Sequence, residues 1–208
     1  MTTKPRRRNR FTLTGKNLVR ARRLLFEVVE VLDEAGIDYM LDAGTLLGIV
    51  RDGDLIPWDN DVDITIPHRE LPKLLGVLNR FRMRRRWISK RFFRQSSPYW
   101  KQGDYRAIKI RNRRLLIFKG RLHADLYIKY RVDDAYYWSS AKMICRSDAE
   151  HFDGYDQLEY RGRRLKVPLR YADYLTLVYG DWRIPIREFN AAADDGSIIG
   201  REPGRGPD

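Results

Sequence analysis

The chain has 208 residues, 43% hydrophobic and 12% aromatic, which is enough for one globular domain with a substantial core. A single cysteine, Cys145, excludes an internal disulfide and a multi-cysteine zinc site and favours a reducing compartment. The net charge of +13 indicates an anionic partner (nucleic acid, an anionic membrane or a phosphorylated substrate), unless it reflects a general arginine bias. No apolar run approaches the roughly 18 residues of a membrane span. We therefore expect a cytoplasmic protein, with peripheral contact at the inner face of an anionic membrane as a further option.

The N-terminal half of the chain predicts amphipathic helices around a short strand and an acidic strand. Residues 1–12 are interpreted as a flexible basic arm. Apolar residues at helical spacing, with Gly36 just past the end of the first run, set the helix boundaries. The helices are predicted over residues 16–35, 44–50 and 69–81, and the strands over residues 38–42 and 61–66.

Three acids recur at every second position: Asp59, Asp61 and Asp63. Aliphatic residues alternate with the last two, which predicts a strand with Asp61 and Asp63 on one face. Two neighbouring carboxylates are suited to a divalent cation, Mg²⁺ or Mn²⁺, because hard cations prefer oxygen ligands and usually share them with substrate phosphates. The spacing therefore predicts a metal-dependent enzyme that acts on a phosphorylated substrate.

The C-terminal half predicts several strands and one helix. Residues 82–104 are basic and aromatic, and they are interpreted as a mobile or substrate-facing insertion. The strands are predicted at residues 105–110, 115–118, 122–130, 136–139 and 165–167, and the helix at residues 168–179. The C-terminal end of the chain is rich in Gly and Pro, and this composition predicts that it is disordered. The expected organisation is a basic arm, one domain over residues 13–190 and a disordered tail over residues 191–208.

A third carboxylate belongs to the strand predicted at residues 122–130. Alternation places Asp125 on its polar face, together with His123 and Tyr127. If this strand lies beside the acidic strand, Asp125 converges with Asp61 and Asp63 and could also accept the proton of an acceptor hydroxyl. If the strand order differs, Asp125 is an ordinary exposed residue.

The remaining candidate residues would contact phosphate. Gly44 and Thr45 open a helix, whose free backbone N–H groups suit a nucleotide phosphate, although the pair could be only a cap. Arg51, Lys109 and Arg111 are interpreted as further phosphate contacts. The histidines are interpreted as structural; they are His68, His123 and His151.

A calcium-binding EF-hand loop is an alternative interpretation of residues 59–70. Their acids occupy the first, third, fifth and twelfth positions of such a loop. However, Ile64 takes the position that requires glycine, and Pro67 interrupts the loop. We therefore favour the strand.

Two blocks of sequence resemble the LicD family, which includes bacterial phosphocholine transferases and the animal fukutin and fukutin-related proteins. The first is GTLLGIVRDGDLIPWDNDVDI, residues 44–64, and the second is LKVPLRYADYLTLVYGDWRIP, residues 165–185. Together with Asp125, the similarity covers roughly residues 25–186.

The resemblance implies an α/β (α+β) nucleotidyltransferase-like fold, with a mixed β-sheet flanked by helices. It implies transfer of a phospho-alcohol from a CDP-activated alcohol donor to a hydroxyl of a glycan or lipid-linked glycan acceptor. By family likeness Asp61 and Asp63 are the paired metal ligands, Asp59 is an acid just upstream, and Asp125 is the third carboxylate. Two other functions stay open: a nucleotidyltransferase that moves NMP from an NTP to a small molecule, and a non-enzymatic basic module that binds nucleic acid. The sequence has no helix-turn-helix, zinc-finger or RNA-recognition signature, which disfavours the last.

Overall fold

The computed structural model describes residues 11–114 and 118–204. The helices of this part are Lys16–Glu34 (α1), Ala43–Asp52 (α2), Leu71–Met83 (α3) and Tyr171–Tyr179 (α4). The strands are Met40–Leu41 (β1), Val62–Pro67 (β2), Trp87–Phe92 (β3), Tyr105–Arg114 (β4), Phe118–Val132 (β5), Ala135–Ser140 (β6), Met143–Asp148 (β7), Tyr155–Tyr160 (β8), Arg163–Pro168 (β9) and Ile198–Arg201 (β10). Within the described ranges, no helix combines the length and the apolar character needed to cross a bilayer.

The strands form one mixed sheet and a separate hairpin. The main path of the sheet is β1-β2-β5-β6-β7-β10, and β4 pairs with both β3 and β5. The pairing of β2 with β5 is parallel, whereas the other pairings between described strands are antiparallel. Strands β8 and β9 form the hairpin. The predicted fold, a mixed β-sheet flanked by helices, is confirmed.

Both faces of the β2–β5 pair are covered, as is usual for parallel strands. Ile64 and Leu126 are fully buried on one face, in a core shared with residues of α1 and α3. On the other face, Thr65 and Lys129 are also fully buried. Since polar groups are buried there, each needs a partner inside the protein.

Lys129 finds its partners at the start of α2 and in α4. Its Nζ lies 3.0 Å from Asp42 Oδ2 and donates to the Tyr174 hydroxyl at 2.9 Å. That hydroxyl donates in turn to Asp42 Oδ1 at 2.7 Å. The rings of Trp138 and Phe152 face the ammonium, with centroids 3.8 and 4.2 Å from Nζ. Burial opposes ionisation of Asp42, but Lys129 and the hydrogen bonds hold the pKa of its carboxyl below the ordinary value. The buried pair of Lys129 and Asp42, together with Tyr174, connects the start of α2 to β5 and α4.

Residues 82–104 belong to the sheet and its loops and are not a mobile insertion, whereas the alternative interpretation, a substrate-facing segment, stays a prediction. Strand β3 pairs with β4 and extends the sheet, and the loop behind it carries Phe93 and Trp100, which are buried and stacked at a centroid distance of 4.0 Å. The sequence obscured this strand because its second half is exposed and basic, so no apolar alternation is visible.

The predicted disordered tail is also wrong over residues 191–204. Strand β10 pairs with β7 at the end of the sheet, Ser197 is buried, and the Ser139 hydroxyl donates to the Glu202 carboxylate. The free edge of β7 offers unpaired backbone groups, and pairing with even a short segment satisfies them despite the Gly- and Pro-rich composition. The predictions for residues 1–10, 115–117 and 205–208 fall outside the described residues.

The buried pair gives a test of the fold. We expect Lys129→Ala to lower the free energy of unfolding by about 3–5 kcal/mol, because it leaves the Asp42 carboxylate buried without its counter-charge. The control is Lys73→Ala, which removes a half-exposed partner of Glu70 and should cost at most about 1 kcal/mol. Urea unfolding at pH 7 measures both losses. Equal losses would contradict this role for Lys129.

Candidate active site

The parallel pairing of β2 and β5 brings the predicted acids together. Asp63 lies directly opposite Asp125 in the register, and both side chains are buried. Asp59 and Asp61 immediately precede β2, and the ligand oxygens of Asp59, Asp61 and Asp63 lie within 4.8 Å of one another. Because residues 62–67 form a strand, the EF-hand alternative is wrong.

The cluster is electrostatically unfavourable without a cation. Burial, followed by repulsion from Asp61, Asp59 and Asp125, raises the pKa of the Asp63 carboxyl well above its usual range. Asp125 Oδ1 is buried and has no hydrogen-bond partner among the described residues. Oxygen atoms in this state are suited to a divalent cation, so the residues fit the predicted metal.

Gly44 and Thr45 shape the cluster from behind. A Cβ at position 44 would lie 2.1 Å from Asp59 Oδ2, so any residue other than glycine would force that carboxylate to move. The Thr45 hydroxyl is buried and accepts a hydrogen bond from the Asp63 backbone N–H at 2.9 Å. Thr45 therefore positions Asp63 through its hydroxyl, and the phosphate contact through the backbone N–H groups of Gly44 and Thr45 stays a prediction.

Of the three predicted cations, Lys109 contacts the acids directly. Arg51 pairs with Asp52 at 2.7 Å and lines a cavity that Asp59 and Asp63 also line. Lys109 Nζ forms an ion pair with Asp125 Oδ2. Arg111 lies two residues further along β4, at the position opposite His123 on β5.

Two cavities meet at Asp63. The first has a volume of about 310 Å³, and Trp58, Tyr179 and Phe189 contribute its aromatic wall. The second has a volume of about 220 Å³ and lies toward Tyr127. The segment after α4 lines both cavities, so part of the predicted tail belongs to the site.

One neighbour of the acids was missed by the sequence analysis. His123 Nε2 lies 3.2 Å from Asp61 Oδ2 and 3.6 Å from Asp125 Oδ1. Asp61, His123 and Asp125 thus form a second group whose ligand atoms lie within 4.8 Å of one another. The available signal was the spacing of His123 and Asp125, which places both side chains on one face of β5.

Comparison with known proteins assigns the domain. The model of a family described as LicD/FKTN/FKRP, nucleotidyltransferase domain, matches residues 36–170. The chain belongs to this family. It therefore carries a transferase domain, and the resemblance seen in the sequence is confirmed.

Individual relatives match smaller parts. The chain is 59% identical over 39 residues to the ribitol 5-phosphate transferase FKRP of Homo sapiens, and the match covers 19% of this chain and 8% of FKRP. It is 27% identical over 127 residues to an uncharacterised protein of Rickettsia typhi, covering 61% of this chain and 34% of that protein. The chain thus spans only a minor part of each relative.

Two solved structures of antibiotic-modifying enzymes are weakly similar. One is the lincomycin-bound lincosamide adenylyltransferase LnuA, with a TM-score of 0.46 and 12% identity, covering 74% of this chain and 83% of that one. The other is ANT(2")-Ia with adenylyl-2"-tobramycin, with a TM-score of 0.43 and 16% identity, covering 74% and 73% of the two chains.

The raised pKa of Asp63 predicts how stability depends on pH. Without metal, the native state binds the Asp63 proton more tightly than the unfolded chain does, because aspartates in an unfolded chain have a pKa of about 3.9. The free energy of unfolding should therefore fall as the pH rises from about 4 through the raised pKa. Asp63→Asn removes this contribution, so we expect a smaller fall and a more stable metal-free protein at pH 8.

Urea unfolding in a chelator between pH 5 and pH 8 measures this dependence. The control is Asp134→Asn, since the Asp134 side chain is 87% exposed and its loss should leave the pH dependence unchanged. Identical pH dependences of the free energy of unfolding for Asp63→Asn and the wild type would show that the Asp63 carboxyl does not have the raised pKa.

Proposed function

We propose that this chain catalyses the Mg²⁺- or Mn²⁺-dependent transfer of a phospho-alcohol, such as phosphocholine, from a CDP-activated donor to a hydroxyl of a glycan or lipid-linked acceptor. The observation that carries the proposal is the buried carboxylate cluster beside two cavities. Membership of the LicD/FKTN/FKRP family supports it, as does the name of FKRP, a ribitol 5-phosphate transferase. The reaction would take place in the cytoplasm, at the inner face of an anionic membrane if the acceptor is lipid-linked.

Asp59, Asp61 and Asp63 would hold the cation, with Asp125 as the fourth carboxylate. A bound Mg²⁺ would neutralise charge on the donor diphosphate and stabilise the leaving oxygen during in-line attack. Gly44 leaves room for the Asp59 carboxylate, and the Thr45 hydroxyl fixes the backbone of Asp63 by accepting from its N–H. Pre-positioned ligands of this kind need no rearrangement when the donor arrives.

The donor would occupy the 310 Å³ cavity, which is within the usual size range of ligand sites. Trp58 and Phe189 provide flat apolar surfaces there, and Arg51 provides a positive charge. The N-terminal end of α2 at Gly44 lines the same cavity, so backbone N–H groups and Arg51 would bind phosphate oxygens together.

On the other side of Asp63, Lys109 and Arg111 would contact the phosphate that is transferred. Lys109 already reaches the acids through Asp125, and Arg111 follows it on the same strand. The acceptor would approach from this side, because the donor fills the opposite cavity. In this arrangement the carboxylates would lie between donor and acceptor.

Product analysis tests the proposal. We expect release of CMP from one of labelled CDP-choline, CDP-ribitol or CDP-glycerol, dependent on a divalent cation and a hydroxyl acceptor. Asp63→Asn should reduce kcat by about 100-fold or more, the scale of losing one pre-positioned electrostatic group. Asp134→Asn is the matched control and should keep full activity.

Other products would indicate other functions. Release of pyrophosphate from an NTP would indicate nucleotidyl transfer. Salt-sensitive binding to DNA or RNA that survives Asp61→Ala and Asp63→Ala, with no turnover, would indicate a nucleic-acid-binding module. Full turnover after both Asp61 and Asp63 have been replaced by Ala would refute a catalytic role for the carboxylate cluster.

A further inference from the structure

The orientation of His123 fixes which of its nitrogens faces the acids. Nδ1 lies 2.9 Å from the backbone carbonyl oxygen of Arg121. A carbonyl oxygen only accepts hydrogen bonds, so Nδ1 carries the hydrogen. In the neutral ring, Nε2 then keeps its lone pair, and this is the nitrogen that points toward Asp61 and Asp125.

The lone pair of Nε2 is aimed at two carboxylates, and the donor that the described residues offer it is Lys109 Nζ at 3.4 Å, a long contact from an ammonium that already pairs with Asp125 Oδ2. The His123 side chain is only 12% exposed, so water screens the repulsion poorly. The same geometry is found in metal-bound histidines, in which the non-ligating nitrogen donates to a carbonyl or carboxylate and the other binds the ion. The Arg121 carbonyl supplies this outer contact.

Asp125 points to the same place independently. Its Oδ1, the oxygen nearer to His123, is buried without a hydrogen-bond partner among the described residues. Its Oδ2 pairs with Lys109, whose Nζ also lies 3.4 Å from His123 Nε2. Lys109 therefore brings a positive charge to the edge of this group and leaves the Oδ1 side open.

We propose that Asp61, His123 and Asp125 form a second metal site, with one imidazole nitrogen and two carboxylates, that selects a transition metal such as Mn²⁺ over Mg²⁺. Imidazole suits the later transition metals best, and Mn²⁺ accepts it beside carboxylates, whereas Mg²⁺ prefers oxygen ligands alone. The group Asp59, Asp61 and Asp63 offers only oxygen and suits Mg²⁺; Asp61 belongs to both groups. This inference rests on the proposed function, since the same carboxylates hold a divalent cation there.

Pulsed electron paramagnetic resonance of the Mn²⁺-loaded protein tests the nitrogen ligand directly. We expect coupling from a directly bound ¹⁴N nucleus in the wild type and its loss in His123→Gln. The control is His68→Gln, because His68 is exposed, stacks on Tyr130 and lies outside both groups. This variant should keep the ¹⁴N signal.

Metal titration by calorimetry supplies the second measurement. Loss of an outer-shell partner of a metal ligand already costs roughly 10–100-fold in affinity, so losing the ligand itself in His123→Gln should weaken Mn²⁺ binding at one site by at least tenfold. Binding of Mg²⁺ should be almost unchanged. Lys109→Met should tighten Mn²⁺ binding, because it removes a positive charge that competes for Asp125.

The outcomes distinguish this inference from the proposed function. Bound Mn²⁺ without ¹⁴N coupling in the wild type, or coupling that persists in His123→Gln, would overturn the second site and leave the proposed function standing. A protein that binds neither Mn²⁺ nor Mg²⁺ would overturn both. If His123→Gln fails to fold, the wild-type spectrum and the Lys109→Met titration still decide the question.

Discussion

The parallel pairing of β2 and β5 is the constraint on which the rest of the site depends. It sets Asp63 opposite Asp125 inside a covered sheet, where two carboxylates repel each other at close range. A fold optimised for stability alone would place apolar residues there. The unfavourable pairing is explained if a cation occupies the cluster during function, since buried charges need counter-charges.

A second layer of contacts holds this pairing in place from distant parts of the chain. Asp42 accepts from Tyr174 of α4 and pairs with Lys129 of β5, and its backbone N–H donates to the Asp63 carbonyl at 3.1 Å. Asp42 also caps the N-terminus of α2, and this helix places Gly44 next to the Asp59 carboxylate. Both sequence blocks that resemble the LicD family therefore meet behind the acids, which gives a physical reason why they occur together.

Much of this could be predicted from local patterns. The alternation in β2 and the polar face of β5 were visible, because side chains alternate strictly along strands. The adjacency and register of the two strands were not, since they depend on tertiary packing. Strands β3, β7, β8 and β10 were not predicted; of these, β3 is half exposed and β10 pairs with the free edge of β7. His123 lay on the predicted polar face, but only the folded arrangement shows that its Nε2 faces Asp61 and Asp125.

The most direct test of the account is the position of a bound ion in a crystal soaked with Mn²⁺, located by its anomalous scattering. The account predicts a peak within about 2.5 Å of oxygens from both Asp61 and Asp63. An ordered Mn²⁺ bound elsewhere, with these carboxylates left without a metal at saturating concentration, would contradict it.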